Sequence, residues 1–529
     1  MKLSLPKIGV GVLLIFLLAW YSLFLFQKID LTRIDLGRHL KNGEIFFNSQ
    51  LRKPLLKTNF YSYTHTDFPF INHHWGSGAI FFVVEKIGGF AGLHLFYIIL
   101  SLITFLIFFG LAQREGGFAF AFLLSLLLLP LIAERREVRP EAFSYFFAAL
   151  FFWLLWQYRQ GRLKQKHLYV LPIIELIWVN THILFFLGPL MVGFLLLEKL
   201  LVLGQRKEKK DLIKKLAVIF ALTSLATLFN PFGLSAVFYP LRIFKNYGYR
   251  IIENQSVWFL EKLGFLYNPN FVLFKIALSL VVLSFVLLIV KNRQGLSLFL
   301  LCLAIFLGVA ACWAIKNFTI FALFALPIIS YQTKKAFGQT IKPKTTEETL
   351  GFAFLALLIF VIALAAFSLR LSLQTNKFGL GLVPQNNIAA EFFKQNNIAG
   401  PIFNNFDIGS YLVYHLYPKE RVFVDNRPEA YPASFFQDVY IPMQQSEDVW
   451  QQQSAFYNFN AIFFSHQDVT PWGQNFLVKR IGDAEWAPVF IDQYAIIFVK
   501  RNVLNKKLIE KHEIPRKTFG QSQPQSPAE

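Results

Sequence analysis

Residues 118–156 decide the fold class of this chain, because they read FAFAFLLSLLLLPLIAERREVRPEAFSYFFAALFFWLLW. Two apolar runs, Phe118–Ile132 and Ala142–Trp156, flank one short charged segment. Apolar runs of this length that recur along a chain are typical of membrane-spanning helices joined by polar loops. The stretch therefore predicts a helical membrane protein.

The overall composition supports the same class of protein. Of 529 residues, 55% are hydrophobic and only 16% are charged, which is more apolar surface than a water-soluble core can bury. The net charge of +20 does not indicate a nucleic-acid partner, because the basic residues lie mostly in short loops where membrane topology requires them. We expect lipid to be the solvent for most of the chain.

Similar apolar runs recur along the chain and predict a polytopic α-helical membrane bundle of about eleven spans. They lie at residues Ile8–Phe26, Leu93–Ala112, Phe118–Ile132, Ala142–Trp156, Leu168–Val179, Ile183–Leu203, Leu216–Phe229, Phe271–Val290, Leu296–Trp313, Phe318–Ser330 and Leu350–Leu369. The first run follows Lys2 and Lys7 and lacks a small-residue cleavage site, so it is interpreted as a retained anchor with a cytoplasmic N-terminus.

The distribution of Lys and Arg predicts which loops face the cytoplasm. Short basic loops at 159–166, 206–215, 291–293 and 334–344 satisfy the positive-inside rule. The long loop Gln27–Ser77, the segment Asn230–Asn270 and everything after Arg370 then lie outside the cytoplasm. We expect a multi-pass protein of the plasma (inner) membrane with an extracytoplasmic C-terminal domain.

The composition changes after Arg370, where apolar runs shorten and turn signals appear. We predict a transmembrane domain at 1–370 that includes the loop 27–77, a small soluble α/β domain at 371–510 and a disordered tail at 511–529. Within the α/β domain, the predicted helices are Ile388–Asn396 and Ile408–Leu416, and the predicted strands are Pro401–Asn404, Arg421–Asp425, Ala461–Ser465 and Ala495–Lys500.

The first outside loop holds many ionisable side chains beside a predicted span, namely Arg33, Asp35, Arg38, His39, Glu44, His73 and His74. Charge near hydrocarbon raises the free energy unless it is paired or used, so the loop is a candidate site. Asp35 lies just beyond a helix end and could act as a general base toward a hydroxyl. The alternative for Asp35 is an ordinary salt bridge to Arg33 or Arg38.

A second group of charges lies between the two apolar runs quoted above. Arginine forks match phosphate oxygens, so Arg135, Arg136 and Arg139 could hold a lipid phosphate or pyrophosphate on the same predicted side of the membrane. Internal Arg–Glu pairs at the membrane interface are the alternative.

No metal or cofactor motif accompanies these groups. His73 and His74 are adjacent, so they cannot both face one metal in a regular element, and neither an HExxH pattern nor paired cysteines occur. We expect no cofactor, and a divalent cation at Asp35 with Glu44 or a histidine is the minority alternative. The polar segments at 404–411 and 424–431 are interpreted as turns or docking surfaces.

Three short motifs carry a resemblance to a known family: IDLGRHL at 34–40, FYSY at 60–63 and HHW at 73–75. With them, the chain resembles the lipid-linked-sugar glycosyltransferases of the GT-C superfamily, and more narrowly the bacterial relatives of protein mannosyltransferases and lipid A aminoarabinose transferases. The tail segments 406–412 and 424–429 are similar to those of a bacterial subgroup of that family.

The resemblance implies a polyprenyl-phosphate-linked sugar as donor and an extracytoplasmic acceptor on a glycan, lipid or protein. Asp35 matches the family's first-loop acid and would be the base. The implied donor-phosphate residues are Arg38, His39, His73, His74, Arg135, Arg136 and Arg139. Two features depart from the family: Leu36 stands where mannosyltransferases have a second acid, and the paired-acid metal motif of oligosaccharyltransferases is not evident.

A non-enzymatic function is the rival hypothesis. The same membrane bundle could transport a lipid-linked glycan or serve as a scaffold in cell-envelope assembly. Transporters usually contain an internal repeat of spans, and the two halves of this sequence show no convincing self-similarity. The lack of a repeat favours the enzyme over the transporter.

Overall fold

The structure is a computed structural model, and it describes residues 5–48, 50–203, 207–242, 246–264, 268–338 and 377–520. The chain divides into two compact units. The first comprises Met1–Ile29, Gly88–Arg242 and Ile251–Gly381, and the second comprises Asp30–Ile87, Ile243–Arg250 and Leu382–Glu529. Most of the first loop therefore belongs to the same compact unit as the C-terminal segment.

Helices dominate the described chain. In chain order they are α1 Leu5–Leu25, α2 Leu36–Phe46, α3 Arg52–Lys57, α4 Trp75–Gly116, α5 Phe118–Ile132, α6 Glu141–Arg159, α7 Leu171–Trp178, α8 Leu187–Leu203, α9 Lys207–Ala226, α10 Leu234–Arg242, α11 Val257–Lys262, α12 Pro269–Asn292, α13 Leu298–Trp313, α14 Phe318–Phe337, α15 Ile388–Gln395, α16 Gly409–Leu416, α17 Pro442–Gln445, α18 Glu447–Tyr457, α19 Pro471–Gly482 and α20 Lys506–His512. Helix α4 is interrupted at Gly89, whose φ of 62° is accessible to glycine but rare for other residues.

The first unit has the apolar surface of a membrane bundle. In α14, every residue from Phe318 to Gln332 is buried, so this helix lies at the centre of its neighbours. Helix α12 exposes apolar side chains instead, including Val282 at 55% and Val290 at 74%. Aliphatic side chains that face outward are favourable in lipid, whereas they would promote aggregation in water.

The predicted count of eleven spans is not confirmed. In the described residues, four helical segments are long and apolar enough to cross a membrane: Trp75–Gly116, Ile183–Leu201, Pro269–Gly295 and Ile315–Phe337. Three shorter apolar helices accompany them at Val10–Leu25, Phe118–Ile132 and Leu298–Trp313. The predicted span Leu168–Val179 is divided into a 3₁₀ turn and the eight-residue α7, which is too short to cross alone. The predicted span Leu350–Leu369 lies outside the described residues.

The second unit contains a small mixed sheet. Its strands are β1 Ile402–Asn404, β2 Ala461–Phe464, β3 Trp486–Ile491 and β4 Ile496–Lys500, in the order β1–β2–β4–β3. Strand β1 pairs in parallel with β2, and the other pairs are antiparallel. The core beside the sheet is largely aromatic and includes Phe403, Trp450, Phe459, Phe464, Phe476 and Trp486. A small sheet accompanied by helices agrees with the predicted small α/β domain.

One predicted strand, Arg421–Asp425, is wrong. Val422 forms an isolated bridge with Ser62 of the first loop. The Tyr63 N–H donates to the Val422 carbonyl at 3.2 Å, and the Val422 N–H donates to the Tyr61 carbonyl at 3.1 Å. An alternating pattern indicates extended backbone, but it does not identify the segment that pairs with it. This extended segment pairs with the first loop instead of joining the sheet.

The predicted domain limits stay predictions. The boundary at 370 falls in residues 339–376, which the structure does not describe. Of the predicted disordered tail, residues as far as Gly520 are described, and they include the end of α20 and a 3₁₀ turn at Arg516–Phe519. Residues 521–529 lie outside the described chain.

Helix α2 crosses the start of α4 at two glycines. A Cβ atom on Gly43 would overlap the Gly78 carbonyl oxygen and the Phe82 Cβ. A Cβ atom on Gly78 would lie 2.8 Å from the His39 carbonyl oxygen. Backbone therefore meets backbone at this crossing, and the contact fixes the position of α2.

We expect Gly43→Ala to lower the free energy of unfolding by about 1–3 kcal/mol, because its methyl group would force two helices apart. Gly92→Ala is the matched control, since Gly92 is in α4 and no heavy atom lies within 4 Å of its built Cβ. The measurement is the apparent melting temperature in detergent, followed by intrinsic fluorescence. Equal melting temperatures for the two variants would contradict the close packing.

Candidate functional site

Asp35 lies at the N-cap position of α2, and its side chain makes no capping hydrogen bond. The carboxylate instead faces side chains one turn further along the helix. Residues at i+3 and i+4 lie on the same helix face as residue i, so Arg38 and His39 are both within its reach. The sequence spacing D-x-x-R-H is therefore sufficient to bring these three groups together.

The three side chains meet at one carboxylate oxygen. Arg38 Nη2 donates a hydrogen bond to Asp35 Oδ2 at 3.1 Å. His39 Nε2 also lies 3.1 Å from Asp35 Oδ2, and it donates when that nitrogen carries the proton. The side chains of Arg38 and His39 are 4% and 0% exposed, whereas that of Asp35 is 23% exposed. Asp35 is therefore the most exposed side chain of the three, although its Oδ1 atom is buried.

The structure brings His73 and His74 to the same group. The His39 and His74 rings meet edge to face, with centroids 5.3 Å apart. The centroids of the His73 and His74 rings are 3.9 Å apart, and His73 Nδ1 lies 3.1 Å from the Ile71 carbonyl oxygen. Five residues that were predicted as site residues thus lie together in the second unit.

Of the two salt-bridge partners given as the alternative for Asp35, Arg38 forms that salt bridge at 3.1 Å, whereas Arg33 makes other contacts. Arg33 Nε donates to Gln467 at 2.6 Å and lies 3.7 Å from Asp30. Glu44 is paired with Lys41 at 2.7 Å. Among the described residues, no group of three or more His, Cys, Asp or Glu side chains is arranged to hold a metal.

Residues of the C-terminal segment hold the first turn of α2. The Arg38 backbone N–H donates to Ser410 Oγ at 2.9 Å, and the Ser410 N–H donates to Asn426 Oδ1 at 2.8 Å. A Cβ atom on Gly37 would lie 2.8 Å from the Ser410 carbonyl oxygen, so α2 and α16 approach closely. The position of Asp35 thus depends on residues that are more than 370 positions away in sequence.

A buried ion pair completes this connection between the first loop and the C-terminal segment. Arg427 donates through Nε to Asp425 Oδ1 at 2.8 Å and through Nη2 to Asp425 Oδ2 at 2.5 Å. The same Nη2 donates to Asn59 Oδ1 at 2.6 Å. The guanidinium also lies over the rings of Tyr61 and Phe70, at 5.4 and 4.6 Å from their centroids.

Glu429 is a carboxyl group that the sequence analysis did not select as a site residue. Burial raises the pKa of Glu429, and the nearby charges of Arg38 and Arg427 oppose that shift. The motif DNRPE at 425–429 was visible in the sequence, but nothing in it indicated proximity to Arg38. The Glu429 carboxyl group therefore interacts electrostatically with Arg38 of the Asp35 group.

The predicted arginine group lies in the first unit. Arg135 Nη1 donates to Glu253 Oε2 at 2.6 Å, and Arg139 Nη1 donates to the same oxygen at 3.2 Å. Arg139 also pairs with Glu137 at 2.9 Å. Arg136, like the other two arginines, is partly buried. Local Arg–Glu pairing is therefore present, but the shared partner Glu253 is distant in sequence. No spacing in the sequence could have identified it.

This chain is similar to known proteins in its three-dimensional structure. No family model matches the chain, and no curated protein matches it. The oligosaccharyltransferase of Archaeoglobus fulgidus, tethered with an acceptor peptide that contains the NVT sequon, has a TM-score of 0.59 at 12% identity, over 94% of this chain and 74% of that chain.

Two further structures are similar. Archaeoglobus fulgidus AglB, in complex with an inhibitory peptide and a dolichol-phosphate, has a TM-score of 0.54 at 12% identity, over 91% of this chain and 73% of that chain. ArnT from Cupriavidus metallidurans, bound to undecaprenyl phosphate, has a TM-score of 0.46 at 12% identity, over 93% of this chain and 98% of that chain.

The two oligosaccharyltransferase structures, with TM-scores of 0.54 and 0.59, establish the fold. The expectation of a GT-C-like membrane fold, drawn from the motifs at 34–40, 60–63 and 73–75, is confirmed. The chain has the fold of the archaeal oligosaccharyltransferase AglB, with apolar helices of a membrane protein and a small mixed sheet near its C-terminus.

Proposed function

We propose that this protein transfers a sugar from a polyprenyl-phosphate-linked donor to an acceptor outside the cytoplasm. The observation that carries the proposal is the Asp35 carboxylate, which is held by two buried side chains and is itself partly exposed. The fold supports the same reaction class, because it is the fold of an oligosaccharyltransferase. Fold alone does not define a reaction, so the proposal depends on the site.

The contacts of Asp35 suit a general base. Arg38 and His39 both contact Asp35 Oδ2, and His39 donates to it when its Nε2 carries the proton; these contacts leave the carboxylate as the group that accepts a proton. They also orient the carboxylate, since Arg38 is anchored through its own backbone to Ser410. His39 is fully buried, so the acceptor is expected to meet Asp35 rather than the imidazole.

The proposed reaction inverts the configuration at the sugar. The acceptor hydroxyl or amine attacks the anomeric carbon and loses its proton to Asp35. The bond between that carbon and the phosphate oxygen breaks, and the electron pair leaves with the lipid phosphate. Arg135, Arg136 and Arg139 are proposed to stabilise this departing phosphate, because guanidinium groups bind its oxygens in pairs. Arg38, His39, His73 and His74 are proposed to contribute further donors.

A lipid phosphate is the proposed donor carrier because the similar AglB structure contains a dolichol-phosphate. The distribution of basic loops supports an extracytoplasmic acceptor, with the N-terminus in the cytoplasm and the C-terminal domain outside. The rival functions, lipid-linked-glycan transport and scaffolding of cell-envelope assembly, predict lipid binding or partner binding without turnover.

We expect the protein purified in mild detergent to retain a polyprenyl phosphate or its sugar conjugate, detected by mass spectrometry. The triple variant Arg135→Ala, Arg139→Ala and Arg136→Ala should lose at least about 90% of that lipid, because each guanidinium–phosphate contact contributes about 1.5–3 kcal/mol.

The matched control is Lys164→Ala, Lys166→Ala and Arg293→Ala, which removes the same charge at exposed positions of two basic loops. This control should keep the lipid. Recovery of bulk phospholipid alone from all three proteins would contradict the proposed donor and favour the scaffold.

We expect Asp35→Asn to reduce sugar transfer by about 10²–10⁴-fold, because the amide keeps the shape of the side chain but cannot accept a proton. After purification from cells, the variant should retain lipid that still bears its sugar. The measurement is the ratio of glycosylated to free lipid that co-purifies with it. Asp67→Asn changes an exposed carboxylate in the same loop and should behave like the wild type. Wild-type turnover by Asp35→Asn would show that another group is the base.

A further inference from the structure

Glu253 joins two arginines that are far from it in sequence. Its Oε2 accepts hydrogen bonds from both Arg135 and Arg139, which precede it by 118 and 114 residues. The residue lies on the 3₁₀ turn Ile252–Asn254, none of whose residues is buried. A single carboxylate on a surface turn therefore links two guanidinium groups of another segment.

Carboxylates surround both arginines. Arg135 lies 3.6 Å from Glu141, Arg139 pairs with Glu137, and both arginines pair with Glu253. Burial raises the pKa of Glu253, but the charges of Arg135, Arg139 and Lys316 overcome that effect and lower the pKa to about 2. Glu253 thus stays ionised, and a phosphate that binds these arginines would compete with its carboxylate.

Arg135 nevertheless has hydrogen-bonding capacity to spare. Its side chain is 10% exposed, and its Nε and Nη2 are buried and make no hydrogen bond to the described residues, although Nη2 lies 3.6 Å from Glu141 Oε1. Unpartnered buried donors on a charged group raise the free energy, so they point to a ligand that is bound during function. Arginine nitrogens of this kind match phosphate oxygens.

The two sides of the ion pair differ in how firmly they are held. The Arg135 backbone is fixed by the Tyr97 hydroxyl, which donates to its carbonyl at 2.7 Å, and by its own N–H, which donates to Thr319 Oγ1 at 3.2 Å. The Glu253 side chain is 31% exposed, and a backbone hydrogen bond from the Ile315 N–H to the Gln255 carbonyl at 3.0 Å joins its turn to the 3₁₀ turn Ile315–Asn317. Glu253 is therefore the partner that can move away while the arginines stay.

We infer that Glu253 occupies the place of the donor phosphate on Arg135 and Arg139 and must be displaced when that phosphate binds. The inference rests on the proposed function, since it concerns the same arginines. Displacement leaves two guanidinium forks facing the phosphate and removes the negative charge that competes with it. Glu253 then acts as an internal competitor that weakens binding of the lipid phosphate and favours its release after transfer.

The inference predicts that removing the negative charge of Glu253 tightens phosphate binding. The probes are farnesyl phosphate and inorganic phosphate, titrated separately into the full-length protein in detergent with calorimetric detection. For Glu253→Gln we expect about a tenfold lower Kd for farnesyl phosphate, which corresponds to about 1.4 kcal/mol. Glu253→Asp keeps the charge on a shorter side chain, so its Kd should lie between those of the wild type and Glu253→Gln.

Two controls separate this effect from general changes in charge or folding. Asp211→Asn removes a 66% exposed carboxylate that pairs with Lys215 and belongs to neither arginine's contacts, so its Kd should stay within about twofold of the wild type. Apparent melting temperatures are recorded for each variant. A loss of structure would weaken binding, so it cannot imitate the predicted gain in affinity.

The outcomes distinguish the inference from the proposed function. If Glu253→Gln binds farnesyl phosphate as the wild type does or more weakly, while the double variant Arg135→Ala, Arg139→Ala loses binding, the inference is overturned and the donor site stands. If the double variant binds like the wild type, the arginine assignment and the inference both fail. Tightening with farnesyl phosphate alone identifies a lipid headgroup as the ligand, and tightening with both probes identifies phosphate in general.

Discussion

The buried guanidinium of Arg427 is the interaction on which the candidate site depends. It satisfies both oxygens of Asp425, bonds to Asn59 of the first loop and packs on Phe70. A buried charge is tolerated only when it is paired and hydrogen-bonded. Removing any one partner would leave an unpaired polar or charged group in the interior and destabilise the folded state. The Asp425–Arg427 pair thus fixes the position of the first loop against the C-terminal segment. Helix α2, with Asp35 at its start, is held within that arrangement.

The Asp35 group and the arginine group use the same chemistry in different ways. At Asp35, one carboxylate is held by buried donors and remains accessible, which suits a group that exchanges protons with an acceptor. At Arg135, the cation is the fixed member, and the carboxylate of Glu253 lies on a partly exposed turn. A cation with spare donors suits a ligand that carries its own negative charge. The proposed function assigns the first group the role of base and the second the role of phosphate clamp.

The bilayer explains why the fold is shared at 12% identity. Lipid requires every backbone polar group to be satisfied within a helix, and many apolar sequences meet that requirement equally well. The short motifs at 34–40, 60–63 and 73–75 carry a stronger constraint, because their side chains make specific contacts such as the Tyr61 hydroxyl to Asn42 at 2.7 Å. Sequence similarity is thus expected to persist in the loops more than in the spans.

The sequence alone determined that this is a helical membrane protein with a small C-terminal α/β domain, because apolar runs and alternating patterns are local signals. It also determined the Asp35, Arg38 and His39 group, since helical periodicity places residues i, i+3 and i+4 on one face. Only the tertiary structure decided that Val422 pairs with the first loop instead of the sheet, and that Glu253 is the shared partner of Arg135 and Arg139. Such contacts join segments more than 100 residues apart, and their energy depends on burial and geometry that no local pattern encodes.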